Sequence, residues 1–247
     1  MKKALGIVGT AAVVAASVLV ASPARADIAL TGVTTSTSTV VLNGDAGCGD
    51  RVQVTVKLYQ PTTGEDQLYG VTADVVAPNG DTADFLVLPY RSRSGDYAFY
   101  ADWVYMCGFE APGRYRIHTE VDWWDAALQT SRQATNDSYF HLKRPTSLTY
   151  NASPEPAKVG TSLTHSGRLM FDPFGYGAAY GASGIKLTIT FKAAGTTAYV
   201  AKGSVTTGKG GYYAKKLRTD ADGTWRIQYP VNTWRQSQTK YDYVDTK

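Results

Sequence analysis

Few residues in this chain have types and spacings suited to chemistry, and each has a structural use as well. Its 247 residues include three histidines, His118, His141 and His165, far apart along the sequence. None belongs to a Gly-x-Ser-x-Gly elbow, a His-Glu-x-x-His helix or a Cys–His signature. Without such a pattern no catalytic residue, cofactor or metal site is assigned, and the chain is read as a non-enzyme. Asp220-Ala-Asp-Gly223 opens as many calcium loops do, with two carboxylates one residue apart and a glycine for the bend. The later oxygen ligands are missing, and the same residues make an ordinary hairpin turn, which is the expectation. Weaker acidic groupings are Asp45 with Asp50, and Asp122 with Asp125 beside Trp123-Trp124.

Aromatic residues are abundant, with 17 Tyr, 5 Trp and 7 Phe. Between residues 171 and 183, Phe171, Phe174, Tyr176 and Tyr180 alternate irregularly with Gly175, Gly177 and Gly181. A loop of that composition either packs its rings on its own domain or offers them to a sugar or peptide. Phe174, Tyr176 and Tyr180 are therefore the candidate ligand surface, with packing the commoner fate of such rings.

The start of the chain reads as an export address. Lys2 and Lys3 precede an apolar run from Ala4 to Val20, and Ala24-Arg25-Ala26 has a small-x-small cleavage pattern. Residues 1–26 are read as a signal peptide, leaving a secreted, extracellular product that begins near Asp27 and has no second apolar segment long enough to span a membrane. Of 25 basic and 21 acidic residues, three basic ones lie in this leader, so the remainder is nearly neutral. Nothing in that balance points to nucleic acid as a partner. In an oxidising compartment an even pair of cysteines favours a disulfide, so Cys48 and Cys107 are expected to be bridged. Cys48 precedes one strand pattern and Cys107 follows another, so the bridge is expected to tie strand ends.

The elements that must hold these residues are strands. In residues 51–59, Val52, Val54, Val56 and Leu58 alternate with Arg51, Gln53, Thr55 and Lys57. Residues 113–123 and 185–192 show the same period of two, which marks sheets with one buried and one wet face. Turn clusters such as Pro61-Thr-Thr-Gly64 and Pro78-Asn-Gly-Asp81 separate them, and no amphipathic helix is evident. Many short strands with polar turns predict β-sandwiches. A boundary near Lys143-Arg144-Pro145 divides 27–144, which holds both cysteines, from 145–247. The stretch containing Pro145, Pro154 and Pro156 is expected to be exposed and poor in crossing contacts. Gly113-Arg-Tyr-Arg-Ile117 is echoed by Gly223-Thr-Trp-Arg-Ile227, a short sign of duplication.

Asn151-Ala-Ser-Pro-Glu-Pro156, Ser166-Gly-Arg-Leu169, Asp222-Gly-Thr-Trp-Arg226 and Tyr243-Val-Asp245 occur in this order. Over residues 146–247 the chain resembles the C-terminal domain of secreted bacterial proteins with immunoglobulin-like folds. The resemblance implies an all-β protein of two immunoglobulin-like sandwiches in tandem, extracellular and without an assigned activity. It transfers no catalytic residue. The expected role is a binding, adhesion or structural module whose partner is an unidentified extracellular protein or cell-wall polysaccharide. The alternative is a calcium-binding secreted protein.

Overall fold

The computed structural model describes residues 28–42, 47–172 and 179–247. The leader 1–26, Asp45, Phe174 and Tyr176 lie outside the described residues. The first half holds β1 (Ala29–Thr35), β2 (Thr39–Val41), β3 (Asp50–Tyr59), β4 (Gln67–Val76), β5 (Thr82–Val87), β6 (Tyr90–Ser94), β7 (Tyr97–Met106), β8 (Gly113–Asp125) and β9 (Thr130–Lys143). The second holds β10 (Thr146–Leu148), β11 (Asn151–Ser153), β12 (Ser162–Phe171), β13 (Tyr180–Gly181), β14 (Lys186–Ala193), β15 (Val200–Thr206), β16 (Tyr212–Arg218), β17 (Gly223–Tyr229) and β18 (Gln238–Val244).

Alternation decides which side of each strand faces the core. Val52, Val54, Val56 and Leu58 of β3 are wholly buried, as are Tyr115, Ile117, Thr119 and Val121 of β8, while the alternate residues between them face outward. Two sheets result in the first half, in the orders β1-β3-β7-β6 and β2-β9-β8-β4-β5. Neighbours are antiparallel except β2 and β9, which run parallel. In the immunoglobulin scheme these are A-B-E-D and A′-G-F-C-C′.

The second half repeats that order. Strands β10 and β11 pair with successive parts of β12 as one interrupted edge, and β16 lies on the other side of β12. The facing sheet runs β15-β14-β17-β18. A parallel bridge between Ala157 and Thr246 takes the place of the β2–β9 pairing. The molecule is thus all-β, with two immunoglobulin-like sandwiches in tandem. One cluster of buried side chains runs from Ile28 to Leu142, the other from Leu148 to Val244.

The short sequence echo falls on equivalent strands. Gly113 opens β8 and Gly223 opens β17, with φ of 146° and 159°. A Cβ on Gly113 would stand 2.7 Å from Pro78 Cγ, and one on Gly223 would stand 2.3 Å from the Lys192 carbonyl oxygen. Both positions require glycine, because the strand opens hard against the neighbouring hairpin. Two residues on, Tyr115 and Trp225 fill the centres of their cores, each with no exposed surface.

Cys48 and Cys107 are bonded, with Cα atoms 3.9 Å apart. Asp50 pairs with Met106 at the end of the β3–β7 ladder, so the bridge extends two hydrogen-bonded neighbours of one sheet. It therefore differs from the inter-sheet disulfide of antibody domains.

Around Pro145 the boundary stretch is not an exposed linker, contrary to the expectation, whereas Pro154, Glu155 and Pro156 are exposed. Arg144 is 6% exposed. Its guanidinium donates to the carbonyls of Gly108 and Glu110. Its backbone bonds Trp234 (2.9 Å) and Gln236 (3.0 Å) in the second half. Residues 146–153 are absorbed into the second sandwich as its edge strand, since pairing with β12 satisfies backbone groups that a bare linker would leave to water.

Candidate functional site

Three of the acidic residues singled out, Asp220, Asp222 and Asp125, have protein partners. Asp220 accepts a hydrogen bond from Arg218 Nε at 2.7 Å. Asp222 accepts from the backbone and hydroxyl of Thr246 at 2.6 and 2.5 Å, and these bonds hold its carboxyl below the usual range. Asp125, 5% exposed, accepts from the Leu128 amide and pairs with Arg132. Among the described residues no group of three or more His, Cys, Asp or Glu is placed to hold a metal ion.

The histidines serve three local roles. His118 lies on the outer face of β8, with Nδ1 2.6 Å from Asp137 and Nε2 3.5 Å from Glu120. His141 pairs across the sheet with Arg114. His165 is wholly buried in β12, where its ring lies 4.3 Å from that of Trp225 and its Nδ1 lies 2.8 Å from the Tyr150 hydroxyl. Burial drives its pKa down to about 4, so the imidazole is neutral. Burial, reinforced by the charge of Asp242, pushes the Tyr150 phenol far up, which keeps that hydroxyl a donor.

The aromatic loop singled out in the sequence is described only at its ends. Tyr180 is 48% exposed, yet its ring meets Phe171 edge-on at 6.2 Å. Arg235 caps this pair, with its guanidinium 4.0 Å from the Phe171 ring and 3.4 Å from the Tyr180 hydroxyl. Phe171 itself is buried among the core residues. At Trp123-Trp124 the alternation places Trp123 in the core and Trp124 on the outer face.

One open surface carrying aromatic and basic side chains was not singled out in the sequence. It is the outer face of the sheet β15-β14-β17-β18. Register brings Thr188, Gln228 and Thr239 into one row, Thr190, Arg226 and Tyr241 into the next, and Lys192, Thr224 and Tyr243 into a third. Tyr241 and Tyr243 are 58% and 51% exposed. Tyr199, from the loop before β15, lies over the middle row with its ring 6.3 Å from Tyr241 and 3.9 Å from the Arg226 guanidinium. Nε of Arg226 donates to Thr190 Oγ1 at 3.0 Å, which fixes the plane of the fork. No residue of the three rows is acidic.

The corresponding face of the first sandwich carries charges of both signs, with Arg116 and with Arg114 stacked 3.7 Å from the Tyr139 ring. Asp74, His118 and Asp137 form one of its rows, with Glu120 and Asp122 in the next two. Elsewhere, a pocket of about 430 Å³ opens beside β15, with Phe191 and Trp225 against Lys202, Arg218 and Asp220. It reaches the core side of the second sandwich and is separate from the tyrosine face.

No family model matches this chain, and no curated protein does. Among solved structures it is similar over 86% of its length to a DUF4785 family protein from Legionella pneumophila, of which 56% is covered, at 13% identity and a TM-score of 0.43. It is also similar to the IG1 and IG2 domains of DIP-gamma, covering 89% of this chain and 97% of that one at 9% identity and a TM-score of 0.29. The D0-D1 domain of intimin is matched over 88% of this chain and 99% of that one, at 15% identity and a TM-score of 0.29. Strand order, not these likenesses, defines the class here: a tandem immunoglobulin-like β protein with one intra-sheet disulfide.

Proposed function

We propose that this protein is a secreted, non-catalytic binding module that meets an extracellular ligand through its second sandwich. The observation that carries the reading is the open, acid-free face where Tyr199, Tyr241 and Tyr243 lie with Arg226 and Lys192. Half-exposed rings on a sheet surface retain apolar area that a ligand can cover, and the fixed guanidinium offers directed donors. The disulfide supports an oxidising compartment, where such bonds persist.

Co-sedimentation with purified cell-wall polysaccharide, and surface plasmon resonance with purified extracellular proteins, test the reading. The wild type is retained by one of these ligands, and a variant carrying Arg226→Gln and Tyr241→Ala is not. Mass spectrometry of the recovered ligand shows it chemically unchanged, and the processed chain is found in culture medium with an N-terminus near Asp27. A ligand cleaved or modified on contact would contradict the non-catalytic reading.

A further inference from the structure

Resting on the binding reading above, we propose that the tyrosine face of the second sandwich takes a carboxylated polysaccharide, one built from uronic acid rings. Two separate features of the face converge on that chemistry. The first is ring surface. Tyr241 and Tyr243 are two residues apart on one side of β18, so their Cα atoms are about 6.8 Å apart along the strand. With Tyr199 beside them they form an aromatic strip suited to the apolar faces of successive pyranose rings.

The second feature is charge. Arg226 is clamped between Thr190 Oγ1 and the Tyr199 ring, leaving the outer edge of its fork in the geometry that a carboxylate accepts bidentately. The Lys192 ammonium lies 5.5 Å from the same ring. Among the described residues no carboxylate forms an ion pair with either cation. Their field is therefore available to an anion.

The same features select against other occupants. A neutral glycan leaves the two cations unused, and a polymer of glycerol phosphate has no pyranose ring to lie on the tyrosines.

The test is calorimetric titration of the protein with polygalacturonate, its fully methyl-esterified neutral form, and poly(glycerol phosphate). Polygalacturonate binds, and binding weakens as salt rises. The methyl ester and the phosphate polymer each bind at least about tenfold more weakly. Arg226→Gln and Tyr241→Ala each lower affinity for polygalacturonate by about tenfold without lowering the melting temperature. Equal binding of the methyl ester, or of the phosphate polymer, overturns the uronate assignment while leaving a ligand-binding face. Unchanged binding by both variants overturns the assignment of this face. Absence of polyuronate binding, with self-association that Arg226→Gln abolishes, would make the face a contact between copies of this chain and overturn the proposal.

Discussion

Tyr115 and Arg144 hold the same corner of the chain from two sides. The Tyr115 hydroxyl donates to the Ala111 carbonyl at 2.9 Å, while the Arg144 guanidinium donates to the carbonyls of Gly108 and Glu110. The disulfide at Cys107 secures the start of the corner. A tyrosine at the start of strand F bonded back to the preceding corner is a recurring device of immunoglobulin sandwiches. Here the corner also receives the residue that leads into the second half, so one feature serves both domain stability and domain placement.

Removing each grip separates the two roles. Tyr115→Phe lowers the stability of the first sandwich by about 1 kcal/mol, the usual worth of one hydrogen bond, and leaves the overall shape unchanged. Arg144→Ala costs about 2 kcal/mol and broadens the distance distribution in small-angle X-ray scattering, because the corner then loses its link to the second half. Identical scattering from the Arg144 variant and the wild type would mean that other contacts orient the halves.

Loss of the disulfide affects one half only. The bridge spans 59 residues, and breaking it with Cys48→Ala and Cys107→Ala lowers the first sandwich by about 4 kcal/mol in the chain-entropy account. Calorimetry of the variant resolves two transitions, with that of the second sandwich unmoved. Since its buried cluster draws only on residues 148–244, a fragment of residues 146–247 also melts cooperatively.

Acid weakens the second sandwich through His165. Its folded pKa of about 4 lies below the ordinary unfolded value near 6.5, so the unfolded chain binds the extra proton between those values. The contribution is complete above about pH 6.5 and is lost as pH falls toward 4, with about 3 kcal/mol at stake. Comparison of denaturation midpoints for the wild type and His165→Leu between pH 7 and 4 isolates this slope. Equal slopes in the two proteins would show that carboxylates elsewhere set the acid response.

Glycine at the opening of strand F is required sterically. Gly223→Ala sets a Cβ against the Lys192 carbonyl and destabilises the second sandwich by about 2 kcal/mol. Gly32→Ala, where a Cβ meets nothing within 4 Å, serves as the comparison and shifts stability by less than about 0.5 kcal/mol.

Much of this fold is legible in the sequence because alternation is a local signal. The valines of β3 and the aromatic residues Tyr115 and Trp225 face the core as their spacing requires, and the two cysteines meet at strand ends. The tyrosine face was not legible for a physical reason. Tyr199, Arg226 and Tyr241 come from three separate segments, and only the registers of β14 with β17 and of β17 with β18 bring them together. The outward lysines and threonines of β14 were visible, but their neighbours were not. His165 was hidden in the same way, since its local sequence reveals neither Tyr150 nor Trp225 as a partner. The burial of Arg144 was not legible, because it depends on carbonyls at Gly108 and Glu110 presented by a distant turn.

The outer face of the second sandwich is the surface proposed to meet ligand. Amide chemical-shift mapping by NMR during titration with polygalacturonate tests it most directly. Shifts are expected on Thr188 to Lys192, Thr224 to Gln228 and Thr239 to Tyr243, with the first sandwich unmoved. Shifts centred on the His118 face, or on the ends of the loop at Phe171 and Tyr180, would contradict it.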